Sequence, residues 1–164
     1  VSTNNARVDF IFNRHLESAN RLKMPLLIGE WGAFSANSEA LQSAFQVTKF
    51  FEKSKSSDMY WTFTKELDSS NLLKAISRAF PEIITGNLLN YNTDVEKGVA
   101  LFEWEENKEG INSIFVPKFY NLEKNKITLS PKGKGFAMVE VSGGWKIEIP
   151  SILNKRQLEI IKSK

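Results

Sequence analysis

The apolar positions of the first eighty residues follow two different spacings. Between residues 8 and 23, Val8, Ile11, Phe12, Leu16, Ala19 and Leu22 recur at helical intervals. Asn4 or Asn5 is the expected cap, and Pro25 forbids continuation. "PLLIGEW" is then a short unbroken apolar run, the pattern of a strand buried on both faces. From about Ser38 a second helical face carries Leu41, Ala44, Phe45, Thr48 and Phe51, with Asn37 or Ser38 as its cap. "DMYWTFT", residues 58–64, reads as another short strand, and "SSNLLKAISRAF" as a helical or turn-like segment closing at Pro81. Helix, strand, helix, strand, helix is the order of parallel strands covered by helices.

Beyond Pro81 the period drops to two. "GNLLNYNT", "GVALFEWEE", "NSIFVPKF", "NKITLS", "FAMVEVSG" and "GWKIEIP" are short segments separated by turn sequences such as "NKEG" and "KGKG". Six such strands predict a small antiparallel sandwich. Alternation sets Leu101 and Glu103 on one face and Phe102 and Trp104 on the other. Trp104, Phe115, Phe119, Tyr120 and Trp145 are expected mostly in the core, the alternative being a face that meets carbohydrate or lipid. The predicted organisation is α/β plus all-β: an α/β part over 1–83, a sandwich over 84–150, and a tail over 151–164 drawn as a short helix.

Composition narrows the function classes. A chain of 164 residues with 41% hydrophobic and 25% charged residues can bury a sizeable core. The net charge is +3, and no basic cluster interleaved with aromatics suggests a nucleic-acid partner. Without cysteines there is neither a disulfide nor a thiolate metal site. With His15 as the only histidine, a zinc site is not expected. His15 itself is expected to be a partly buried structural residue near Ile11 and Ala19.

Glu30 is the candidate for chemistry, a carboxylate at the carboxyl end of an apolar strand, where barrel enzymes collect their catalytic groups. Trp61 stands in the next strand, and Lys65 and Glu66 follow it. A carboxylate and an indole on adjacent parallel strands suit sugar chemistry, the acid for an oxocarbenium-like centre and the ring as a flat apolar platform. The bland alternatives are a strand-end acid that caps a helix or pairs with a lysine, and a tryptophan that belongs to the core.

"IGEWG", residues 28–32, resembles the seventh-strand segment of retaining family-5 glycoside hydrolases, and within them the endoglycoceramidases. "ANRLKMP" resembles the end of the helix leading into that strand, and "MYWTF" the eighth strand with its sugar-stacking tryptophan. "ISRAFPEIITG" is similar to the passage from barrel to sandwich, and "NSIFVPKFY" to a strand within the sandwich. The resemblance implies the C-terminal part of a (β/α)₈ TIM barrel followed by a small antiparallel β-sandwich. It implies Glu30 as nucleophile and Trp61 as platform; Lys65 and Glu66, without a motif of their own, are positioned to meet sugar hydroxyls. The implied reaction is hydrolysis of the bond between glycan and ceramide, with no metal or organic cofactor.

The second acid that a retaining glycosidase requires is missing: no Asn-Glu-Pro segment occurs. Two strands of a closed barrel also leave their inner face and edges unsatisfied. The chain is therefore expected to dock on an N-terminal chain holding strands one to six and the acid/base, and to be a product of cleavage or a C-terminal piece. A secreted or lysosome-like location suits such a product. Contact of the basic tail with a membrane surface is expected to be weak at most. The rival readings are a non-catalytic glycan- or lipid-binding module and a structural subunit that completes a barrel.

Overall fold

The computed structural model describes residues 2–32, 38–122 and 125–162. They form two compact units, Val1–Ile76 and Ser77–Lys164.

The first unit contains helix α1 (Ser2–Leu22), strand β1 (Leu27–Trp31), helix α2 (Ser38–Ser54), strand β2 (Ser57–Tyr60), a 3₁₀ turn (Leu67–Ser69) and the short helix α3 (Asn71–Ile76). β1 and β2 pair in parallel as a two-stranded sheet, as the alternation of elements predicts. Val8, Phe12 and Leu16 of α1 pack on Val47, Phe50 and Phe51 of α2, together with Leu26, Ile28 and Trp31. The rings of Phe12 and Phe50 stack at 4.7 Å, and Phe51 is fully buried. On its other flank α2 joins α3 through Ala44, Leu72 and Ala75.

Several expectations need correction here. α1 begins at Ser2, so Asn4 and Asn5 lie inside it and not at its cap; of the other cap candidates, Asn37 and the Ser38 side chain lie outside the described residues. His15 is exposed, because the half-buried stripe of α1 runs through residues 8, 12, 16 and 19. The segment before Pro81 is helical only as far as Ile76. β1 is covered on one face, not two: Ile28 and Trp31 are half-buried, while Leu27 is 57% exposed.

The second unit is a sandwich of two four-stranded antiparallel sheets. Its strands are β3 (Phe80–Ile83), β4 (Gly86–Asp94), β5 (Val99–Glu106), β6 (Ile111–Pro117), β7 (Asn125–Ser130), β8 (Ala137–Val141), β9 (Gly144–Pro150) and β10 (Lys155–Lys162). The sheet orders are β4-β5-β10-β7 and β3-β6-β9-β8. Phe102, Trp104, Ile114, Ile147, Leu158 and Ile160 meet in the core with no exposed surface. Of the aromatics expected there, Trp104 and Tyr120 are buried, Trp145 packs half-buried against the core, and Phe115 lies against Phe80 at 5.3 Å. Phe119 stands partly exposed.

The division of the sequence shifts at both ends of the sandwich. Phe80–Ile83 belongs with the β part, paired with β6 at the edge of its sheet, where Pro81 removes no bond that a central strand would need. The tail is not a helix. β10 lies between β5 and β7, with Arg156, Leu158 and Ile160 buried at period two. The inward arginine masked that alternation.

Arg156 is accommodated by Glu106, both side chains being fully buried, at 3.5 Å. Glu106 also accepts the backbone N–H of Ile152 at 2.7 Å, the amide of Asn112 at 2.9 Å and the indole N–H of Trp104 at 3.2 Å. Burial pushes the Glu106 carboxyl up, but the Ile152, Trp104 and Asn154 N–H groups and the Arg156 charge outweigh it and hold the group below its ordinary range.

Candidate active site

β1 does not alternate simply. Leu27 and Ile28 pair with Ser57 and Asp58, whereas Trp31 pairs with Tyr60. Three steps along β1 thus match two along β2, the signature of a β-bulge. In a regular strand Ile28 and Glu30 would share a face. Here Ile28 and Trp31 share the helix side, packed on the Phe50–Phe51 cluster, and Gly29 and Glu30 are both exposed. The extra residue is what allows two apolar side chains three positions apart to be buried while the carboxylate stays in the open.

The carboxyl ends of the strands are held close together. The Trp61 backbone N–H donates to the Trp31 carbonyl at 2.8 Å. A Cβ on Gly32 would overlap the Trp61 carbonyl oxygen, so only glycine fits after the Glu-Trp pair. The Trp31 indole stands edge-on to Phe51 and Tyr60, each at 5.3 Å, and its Nε1–H donates to Asp58 Oδ2 at 2.9 Å.

Trp61 follows the end of β2 and is 58% exposed; its peptide bond to Thr62 is cis. Phe63, beyond β2, is 65% exposed, and along the strands Met59 is 59% and Leu27 57% exposed. Lys65 and Glu66 are exposed in the turn after β2. Glu66 is held below the ordinary carboxyl range by its own backbone N–H and by the Thr64 hydroxyl, so it is anionic at neutral pH.

The first unit also holds a cavity of about 340 Å³, lined by Val8, Phe12, Trp31, Ala44, Val47 and Tyr60 among others. It lies on the helix side of the sheet and does not include Glu30. Among the described residues, no group of three or more His, Cys, Asp or Glu side chains is gathered as for a metal ion, and no helix is long and apolar enough to cross a membrane. Sequence reasoning singled out Glu30 and Trp61 and passed over Asp58. Its only sequence signal is an acid at the start of an apolar strand.

No protein-family model matches the chain, and no curated protein sequence matches it. Solved structures do. Endo-glycoceramidase II from Rhodococcus sp., as its lactosyl-enzyme intermediate, superposes with a TM-score of 0.73 at 12% identity, over 96% of this chain and 38% of that one. The same enzyme in complex with ganglioside GM3 gives 0.65 at 10% identity, over 89% and 34%. A structure described as endogalactoceramidase gives 0.70 at 16% identity, over 92% and 36%. The chain spans little more than a third of the length of these proteins. At this identity the likeness is one of fold: the chain has the architecture of part of a glycosidase of the endoglycoceramidase kind.

Proposed function

We propose that this chain supplies the nucleophile part of a retaining glycoside hydrolase acting on glycosylated ceramides, the rest of the barrel coming from polypeptide outside these 164 residues. The observation that carries the reading is Glu30, exposed at the carboxyl end of β1 on an apolar and otherwise uncovered sheet face, in a chain with this fold. In this reading β1 and β2 are strands seven and eight of a TIM barrel of family 5. Their bare face and open edges are where the other strands, with the acid/base carboxyl, complete the site.

The chemistry is double displacement. Glu30 attacks the anomeric carbon while the acid, about 5 Å away across the scissile bond, protonates the leaving ceramide oxygen. The same group then takes a proton from water, which displaces Glu30 from the sugar. Trp61 offers its face to the pyranose, and Lys65 and Glu66 meet hydroxyls. Carboxylates and water suffice for both steps, and the reading includes no cofactor.

The test is Glu30→Gln in the assembled barrel, assayed by glycan release from a glycosylceramide. The expected loss of turnover is on the order of a thousandfold or more. A 2-deoxy-2-fluoro glycoside should label the Glu30 peptide, read by mass spectrometry. Full activity of Glu30→Gln overturns the nucleophile role. A 164-residue chain that folds as a cooperative monomer and binds glycan without Glu30 would establish a non-catalytic module in its place.

A further inference from the structure

Asp58 lies on β2 opposite Ile28, at the point where the register of the two strands is about to slip by one residue. It is half-buried on the side of the sheet away from Glu30, so it has no route to substrate. We propose that Asp58 is a positioning residue, whose hydrogen bond to the Trp31 indole locks the β1 bulge in the one register that leaves Glu30 on the open face. The inference rests on the reading of Glu30 as nucleophile.

A one-residue slip exchanges the faces of every side chain in a strand. In β1 the slip would exchange Glu30 with its neighbours between the open face and the helix layer. Packing of Ile28 and Trp31 on the helix layer opposes the slip, which would expose them, but packing lacks direction. The contact from Nε1 to Asp58 Oδ2, at 2.9 Å, does have direction. It ties the residue after the bulge to the β2 residue that pairs with Ile28, before the bulge, and so spans the irregularity. Phe51 and Tyr60 fix the ring plane edge-on, and the Trp61 N–H closes the strand end on the Trp31 carbonyl. Glu30 is the residue immediately before the one held in this way. A nucleophile misplaced by about 1 Å forfeits on the order of a hundredfold in rate.

The experiment compares Asp58→Ala, Asp58→Asn, Trp31→Phe and Glu30→Gln in the assembled enzyme. Steady-state kinetics on a glycosylceramide are read beside hydrogen exchange of the Trp61 amide. Asp58→Ala is expected to lower kcat by about tenfold to a hundredfold with KM within about threefold, and to speed Trp61 exchange. Asp58→Asn restores most of both, since its amide oxygen still accepts from the indole. Trp31→Phe, which keeps a ring and loses the donor, reproduces Asp58→Ala, and the double variant is no worse than either single change. Unchanged kcat in Asp58→Ala and in Trp31→Phe overturns the proposal, and faster exchange without loss of kcat overturns it too, by reducing the bond to local stability. Turnover that survives Glu30→Gln defeats the nucleophile reading first, and that arm alone reports it.

Discussion

The strands of the two units bury their large apolar side chains to different extents. In the sandwich, Phe102, Trp104, Ile147 and Leu158 are fully buried, because each sheet finds its apolar partner in the other. In the first unit, Leu27 and Met59 on the strands are more than half exposed, because among the described residues helices back the two strands on one side only. What differs is the number of strands each unit has to close with. Eight strands make two sheets and a sealed core; two parallel strands, which in most folds are covered on both faces, do not.

The difference can be broken most strongly from the closed side. Glu106→Ala strands the fully buried Arg156 charge and the N–H donors of Ile152 and Trp104, and is expected to cost about 3–5 kcal/mol, read by chemical denaturation. Acid produces a milder version of the same break. With the folded Glu106 below the ordinary carboxyl value of 4.5, the unfolded chain takes up the proton first. Its contribution is complete above about pH 4.5 and is lost as pH falls from there through the folded value. Stability followed from pH 6 to 3 should therefore decline more steeply in the native protein than in Glu106→Gln.

Gly32→Ala attacks the open unit where β1 and β2 converge. The added methyl meets the Trp61 carbonyl, and the expected cost of about 1–3 kcal/mol should appear as faster exchange of the Trp61 amide. The smallest effect is the most telling about the bare face. Leu27→Ser, at an exposed core-type residue, is expected to change the stability of the chain by less than about 0.5 kcal/mol. In the assembled barrel the same change should cost several times more. An equal effect in both settings would mean that the face is solvent surface.

Local pattern carried most of the fold. Val8, Phe12 and Leu16 announced α1, and alternation at residues 101–104 set Phe102 and Trp104 on one face, the face that lies in the core. Two strands escaped for related reasons: Pro81 looked like punctuation in what is an edge strand, and Arg156 looked like a polar face although it points inward. Both residues contradict a local rule that a neighbour repairs, the edge position in one case and Glu106 in the other. His15 failed in the reverse direction, because helical spacing gives a stripe but not its exact width.

The candidate site divides in the same way. By itself the sequence determined that an acid ends an apolar run, that an indole stands in the next one, and that glycines flank the Glu-Trp pair; residue type and order are local facts. Only the tertiary structure decided which face Glu30 occupies. That depends on a bulge, on a register between two distant segments and on Asp58 finding the Trp31 indole 27 residues away. A period-two reading cannot contain a slipped register, because the energy that selects it comes from the partner strand and the helix beneath it.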